Sequence, residues 1–292
     1  MNDAPTIDPW LSGTLDLDAY LARIGVGAAE IESPSLDALT RLQTAHVRTF
    51  TFDNLDVLLG THPGVSLPAI QAKFVGRGRG GYCFEHASLF AAVLDRLGYA
   101  VTRHLGRVGD PQVAPRTHLV VVVDLGGERF VCDPGFGRSS LAPLPLVDGA
   151  DVTAEGWRHG IRKISDGGAP AWEVLRHTGD EWEVMHTVDS LPVRPVDVAM
   201  GHHWTSTQPT SHFMTSLMCV AHGVDSDGTA LIAALTEHAV TIRRPGRPTE
   251  HRAITAEDFA TLPELVDSLG ANLTPPEGAA LVDVVRRLRS SG

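Results

Sequence analysis

The sequence predicts an α+β protein in three parts: a helical domain over 1–98, an antiparallel β-barrel or sheet over 99–195, and a mixed α/β region over 196–292. Apolar residues recur at helical spacing in the first part. Short β-rich runs alternate with Gly and Asp turns in the second, and both patterns share the third. A length of 292 residues exceeds a common domain of about 100–200, which suits such a division.

In the first part, Leu17, Tyr20, Leu21 and Ile24 mark one helix that Gly25 stops. Ser35 caps a second, carrying Leu36, Leu39, Leu42 and His46. A third runs from Cys83 to Leu97, with Phe84, Ala87, Phe90, Leu94 and Leu97 on its apolar side; Arg96 and Gly98 suit its end. In the second part, His118 to Asp124 and Arg129 to Asp133 read as strands, followed by Trp157 to Ile164, Ala171 to His177 and Glu181 to Thr187. The third part reads as a helix near Ala199 to His203, strands near His212 to Val220 and Ala239 to Arg243, and a last helix from Gly278 to Arg289.

Composition narrows the function. The chain is 43% hydrophobic and 20% charged, ordinary for a globular core. Its net charge of −11 disfavours a sequence-independent nucleic-acid binder. Met1 to Gly13 has no apolar run of the signal-peptide kind, and no stretch approaches the roughly 18 apolar residues of a membrane helix. Cys83, Cys132 and Cys219 are too few for a disulfide framework, so a reducing cytoplasm is the simplest compartment.

Cys83 follows the glycine-rich run Arg77-Gly-Arg-Gly-Gly-Tyr82 and falls where a helix begins. Unpaired N–H groups and the positive dipole end there favour a thiolate and suit an oxyanion. Cysteine is more often a buried packing residue, and Cys132 and Cys219, inside apolar runs, read that way. A cysteine nucleophile needs a base and an orienting acid. His118 opens a strand, Gly126-Gly127 sits in the turn, and Asp133 ends the return strand. A loop centred on the glycines makes Asp133 the diagonal neighbour of His118; one centred a residue earlier puts them opposite. Either register puts both side chains on one face, whereas a three-residue loop separates them.

These segments resemble the arylamine N-acetyltransferases. Arg79-Gly-Gly-Tyr-Cys-Phe-Glu85 matches the family's nucleophile motif, and Thr117-His118 its base. Asp133-Pro-Gly-Phe-Gly137 is similar to the family's Asp-Val-Gly-Phe-Gly, at the family's separation from the histidine. Thr51-Phe-Asp-Asn-Leu-Asp56 resembles its Pro-Phe-Glu-Asn-Leu segment, and Ser206 to Phe213 a segment of its third domain. The resemblance implies a helical domain, a β-barrel, an α/β lid and a papain-like Cys83–His118–Asp133 triad. It implies acetyl-CoA as co-substrate and a ping-pong transfer to a small aromatic amine or hydrazine, with no metal. It implies cofactor contacts at Thr117, Gly135 and Phe136, and acceptor contacts at Phe52, Phe84 and Phe213. Three positions depart from the pattern: Pro134 for Val, Asp53 for the Glu that pairs with the arginine matching Arg79, and Ala87 for a polar residue.

Other features carry less. His202, His203 and His212 lack a carboxylate or cysteine to complete a metal set, so packing or solvation is the simpler reading. Arg243-Arg244-Pro-Gly-Arg247 reads as a charged surface turn, with CoA phosphates as the alternative. Gly76 to Gly81 lacks the strand and Lys-Ser/Thr of a nucleotide loop. A papain-type hydrolase, an amide synthase of the same family and a non-enzymatic member are the competing functions.

Overall fold

A computed structural model describes residues 8–291, so the beginning of the Met1–Gly13 segment lies outside the described residues. The helical part forms as its caps dictate. The Asp16 carboxylate accepts from the Ala19 N–H at 3.0 Å to start Leu17–Ile24, and Gly25 ends that helix in the left-handed region. The Ser35 hydroxyl accepts from the Ala38 N–H at the head of Leu36–Thr49. Both helices bury one stripe, Tyr20, Leu21 and Ile24 on the first and Leu39 and Leu42 on the second, against Cys83–Arg96. That third helix is buried along most of its length, so its N-terminus is fixed from every side.

The middle of the chain is an eight-stranded antiparallel sheet. Its order is Leu144–Pro145, Glu128–Cys132, His118–Leu125, Ala100–Arg107, Glu181–Asp189, Ala169–Thr178, Trp157–Asp166 and Asp151–Ala154. Leu144 near one edge and Ile161 near the other share one core with Val120, Val122, Val131, Val174 and Met185, so the sheet curls into a near-closed barrel. The His118–Leu125 and Glu128–Cys132 hairpin turns on Gly126 and Gly127 with φ of 67° and 90°. This is the primed turn that matches strand twist. The register, Val121 opposite Cys132 and Leu125 opposite Glu128, is the one in which Asp133 lies diagonal to His118.

The last part holds a five-stranded antiparallel sheet covered by Leu262–Ser268 and Pro275–Ser291. Its first strand is Phe52–Asp53, borrowed from the helical part and paired to Cys219–Val224. Between them, the expected strand near His212 to Val220 is corrected. Residues His212–Thr215 form a helical turn, and the strand begins only at Cys219. The cause is local hydrogen bonding. Ser211 caps the turn, while the Asn54 amide donates to Phe213 and Ser216 carbonyls at 2.9 and 2.7 Å and its oxygen accepts from Met218 N at 2.9 Å. A strand would leave those groups without such partners. The helix foreseen near Ala199 is longer, Pro195–Thr207. Among the described residues, no helix is long and apolar enough to cross a membrane.

Asn54 is buried and serves three backbone groups at once, so Asn54→Ala should destabilise the chain by about 2–3 kcal/mol, read as a lower urea midpoint. A midpoint unchanged from the parent would show that water replaces the amide without cost.

Candidate active site

Cys83 occupies the first turn of Cys83–Arg96 and is almost wholly buried. Its Sγ lies 3.4 Å from the Thr117 carbonyl, and it also interacts with the imidazole of His118. The other side of that ring donates from Nε2 to Asp133 Oδ2 at 2.9 Å. His186 Nε2 donates to the same oxygen at 2.7 Å. Burial alone would discharge His118, but the Asp133 charge, the Asp133 hydrogen bond and the Cys83 sulfur outweigh it and push its pKa up to about 10. Asp133, in spite of burial, is held below the ordinary carboxylate range by His118 and then His186. Burial, and then the His118 charge, keeps His186 neutral. The three thus form a charged pair with a neutral second donor.

Cys83 and His118 line a cleft of about 370 Å³. Phe52, Phe136, Trp204 and Phe213 are among the side chains lining it, together with Thr117, Gly135 and Arg138. Gly135 presses on the cysteine: a Cβ there would lie 2.9 Å from Cys83 Cα. This volume and largely apolar lining suit a small apolar ligand.

The loop before Cys83 is held by buried charges. Arg79 Nη2 donates to Asp56 Oδ1 at 2.7 Å, Lys73 Nζ reaches Asp56 Oδ2 at 2.9 Å, and Lys73 also meets Glu85 Oε1 at 2.8 Å. Arg79 Nη1 lies 3.2 Å from Glu277 of the last helix. Burial raises Glu85, but the Lys73 charge, followed by His62, brings it to about 2. Burial would discharge Lys73, yet Glu85, Asp53 and Asp56 keep its pKa raised. Glu85 Oε2 further accepts from Tyr82 N, closing a capping box at the helix start. Gly80 and Gly81 admit no side chain, since a Cβ would fall 1.8 Å from Thr51 O or 2.2 Å from Glu85 Oε2.

A family profile described as N-acetyltransferase matches residues 35–274. The arylamine N-acetyltransferase of Escherichia coli K12 is 35% identical over 211 residues, 70% of this chain and 73% of its own. That of Mycolicibacterium smegmatis is 36% identical, over 70% and 75%. The structure of the enzyme from Mycobacterium abscessus superposes with a TM-score of 0.85 at 34% identity, covering 97% of this chain and 99% of that one. The Mycobacterium marinum enzyme, solved in complex with CoA, gives 0.76 at 34%, covering 94% and 97%. The chain belongs to the arylamine N-acetyltransferase family. It is an acetyltransferase, and the α+β fold foreseen from its sequence is the family's.

Of the residues that the family resemblance singled out, the structure brings Cys83, His118 and Asp133 together and lines the cleft with Thr117, Gly135, Phe136, Phe52 and Phe213. Phe84 is a correction. One residue past Cys83 on a helix, it is rotated by about 100° into the core and is fully buried, where a Cβ on Gly201 would come within 2.6 Å of its ring. The expected ion pair of Asp53 with Arg79 is also corrected, because Asp56 takes the guanidinium. The shorter Asp53 stays near its own backbone, accepting from Thr51 Oγ1 at 2.8 Å and Leu55 N at 3.2 Å. Burial pushes its pKa up against Lys73, Thr51 and Arg79.

Arg244 and Arg247 form the charged turn, paired with Asp225, Glu250 and Asp227. Among the described residues, His202, His203 and His212 do not form a ligand cluster; His202 bonds Tyr82 and packs on His62. The group with ligand spacing is His118, Asp133 and His186, whose atoms lie within 4.8 Å, and the hydrogen bonds to Asp133 already fill it.

Sequence reasoning missed His186, Lys73, Asp56 and a buried chain behind the cysteine. The Thr51 carbonyl can only accept, so His86 Nε2 donates to it at 3.0 Å. His86 Nδ1 must then accept from His46 Nε2 at 2.9 Å, and His46 Nδ1 from Tyr20 OH at 2.8 Å. Both rings are therefore neutral. Burial lowers His86 to about 4 and puts His46 well below its ordinary value. A signal existed: Lys73, Glu85 and His86 interrupt apolar stretches, and His46 continues the apolar stripe of Leu39 and Leu42.

Two outcomes follow from this geometry. Asp56→Asn removes the carboxylate that two buried cations share, leaving Lys73 only Glu85 and Arg79 only Glu277, and should cost about 3 kcal/mol, whereas Asp53→Asn, in no ion pair, should cost far less. Urea titration of both variants decides it; equal losses would refute the assignment. In acid, a histidine whose pKa is lowered on folding takes up its proton first in the unfolded chain. Stability should therefore fall as pH drops from about 6.5 towards 4. His86→Gln keeps a donor and an acceptor but cannot titrate, so its urea midpoint should fall less between pH 7 and pH 5 than the parent's. Parallel declines would remove His86 as a cause.

Proposed function

We propose that the chain transfers an acetyl group from acetyl-CoA, through a thioester on Cys83, to arylamines, arylhydrazines or hydrazides. The observation that carries this reading is the buried Cys83–His118–Asp133 arrangement opening on an aromatic cleft. Protonated His118 pairs with the Cys83 thiolate, which attacks the acetyl carbonyl. The new bond joins the carbonyl carbon to Cys83 Sγ, and the bond to the CoA sulfur breaks as that sulfur leaves with the His118 proton. An amine then attacks the thioester and passes its proton to His118, and the Cys83 thiolate departs. Asp133 keeps the ring oriented throughout. N–H groups of the first helical turn face the developing oxyanion. Phe52 and Phe213, packed edge to face with ring centroids 6.2 Å apart, form an apolar wall for a flat acceptor, and Gly135, Phe136 and Thr117 flank the donor's arm. The M. marinum relative's complex with CoA supports acetyl-CoA as donor.

We place domain boundaries at 98 and 195, so that nucleophile and base come from different domains. Three unpaired, buried cysteines suit a reducing cytoplasm.

Intact-protein mass spectrometry after mixing with acetyl-CoA should show one acetyl adduct, absent in Cys83→Ala, that aniline or hydralazine clears faster than water does. Initial-rate lines at fixed acceptor levels should be parallel, and Asp133→Asn should lower turnover by about 10⁴ while leaving the fold intact. An adduct cleared as fast by water would favour a hydrolase. No adduct, with Cys83 still alkylated by iodoacetamide, would favour an amide synthase. Intersecting lines without an adduct would mean direct transfer.

A further inference from the structure

Arg138 lies on the rim of the Cys83 cleft and borders a group of guanidiniums that the proposed chemistry leaves unused. Strand register puts Arg176 opposite His159 on one side and Glu183 on the other, so these three share one barrel face. Arg243, at the end of Ala239–Arg243, approaches from the C-terminal sheet and interacts with Arg138. A single carboxylate meets them, and loosely: Glu183 is 3.4 Å from Arg138 and 3.9 Å from Arg176. Among the described residues, Arg243 forms no ion pair, and the buried Arg176 Nη1 has no hydrogen-bond partner.

That arrangement is costly. Burial, and then the Arg138 charge, lowers Arg176 to about 10 and brings Arg243 below its ordinary value. Neighbouring arginines are treated differently: Arg244, Arg247 and Arg48 each have a carboxylate of their own. An acidic chain of net −11 thus keeps three cations on one weakly held carboxylate beside its cleft. His222 ties the cluster to the site, donating to the Gly137 carbonyl at 2.8 Å on the loop that carries Asp133.

We propose that Arg138, Arg176 and Arg243 seat the phosphate groups of CoA, on the reading that acetyl-CoA is the donor. The donor carries its thioester and its phosphates at opposite ends of an uncharged arm. The cleft likewise has Cys83 buried within and Arg138 partly exposed at its rim. Guanidinium forks match phosphate oxygens. A bound polyanion neutralises the mutual repulsion and supplies the acceptor that Arg176 Nη1 lacks. It also draws an anionic donor to a surface whose overall charge repels it.

The test compares acetyl-CoA with S-acetylpantetheine, which has the same thioester and arm but no phosphates. Wild type should prefer acetyl-CoA, and added salt should erode that preference. In Arg243→Gln and in Arg138→Gln, the ratio of kcat/KM for the two donors should fall by roughly tenfold or more, carried by KM for acetyl-CoA. Arg243→Lys should restore part of it. Equal losses with both donors would make the cluster structural and overturn the seat. A Cys83 adduct formed with an unchanged donor ratio would also overturn it. No adduct from either donor on wild type would instead overturn the acetyl-CoA reading itself, and the seat with it.

Discussion

Glu277, Arg79, Asp56, Lys73 and Glu85 alternate in sign along an unbroken chain of contacts, each within 3.2 Å of the next. All but Glu277 are fully buried. An isolated ion there would cost several kcal/mol, so each charge is tolerable only because its neighbours are opposite. The chain starts on the last helix of the protein and ends on the helix that presents Cys83, and so spans the glycine loop between them. Gly80 and Gly81 can pack against Thr51 and Glu85 because these ions fix the loop's path. The position of Cys83 follows from that path, and the cleft, Gly135 and His118 are built around the cysteine.

The second constraint is the carboxylate of Asp133. It accepts two histidine donors on one oxygen, which makes it acceptor-only and fixes its rotamer. The two histidines divide the work. His118, between Asp133 and Cys83, holds a proton, whereas His186 stays neutral under the His118 charge. A second cation there would repel the first, so His186 adds a hydrogen bond without adding charge. Phe136 packs against both rings, while His118 still lines the cleft. The hairpin supplies this arrangement cheaply, because its two-glycine turn sets the register and the register sets the shared face.

What could be read from the residues alone was what neighbours in sequence determine. The helix stop at Gly25, the cap at Ser35, the apolar stripe after Cys83, and the His118–Asp133 face all follow from local periodicity and turn chemistry. What stayed hidden depends on distant segments. Glu277 meets Arg79, and His186 meets Asp133, across separations that no pattern encodes. The Asp53 and Asp56 exchange shows the limit sharply. The resemblance placed an acid in the right segment, but three residues decide which carboxylate the guanidinium reaches, and only packing tells them apart. His212 to Val220 failed for a related reason: β-prone residues were bent into a turn by the amide of Asn54, far away in sequence.

Charge is handled in two opposite ways in this chain. Around the nucleophile loop, every buried cation has a carboxylate, and the result is rigidity at a place where a displaced cysteine would end catalysis. Beside the cleft, Arg138, Arg176 and Arg243 share one distant carboxylate, and burial, followed by the Arg138 charge, lowers the basicity of Arg176 and Arg243. Had selection acted there on stability alone, a second acid or a neutral residue would relieve the repulsion. Its presence beside the cleft fits a surface completed by an anion that arrives and leaves. The same acidic excess that makes the whole chain unattractive to phosphates sharpens this contrast, because a local positive field then stands out beside the cleft that holds Cys83.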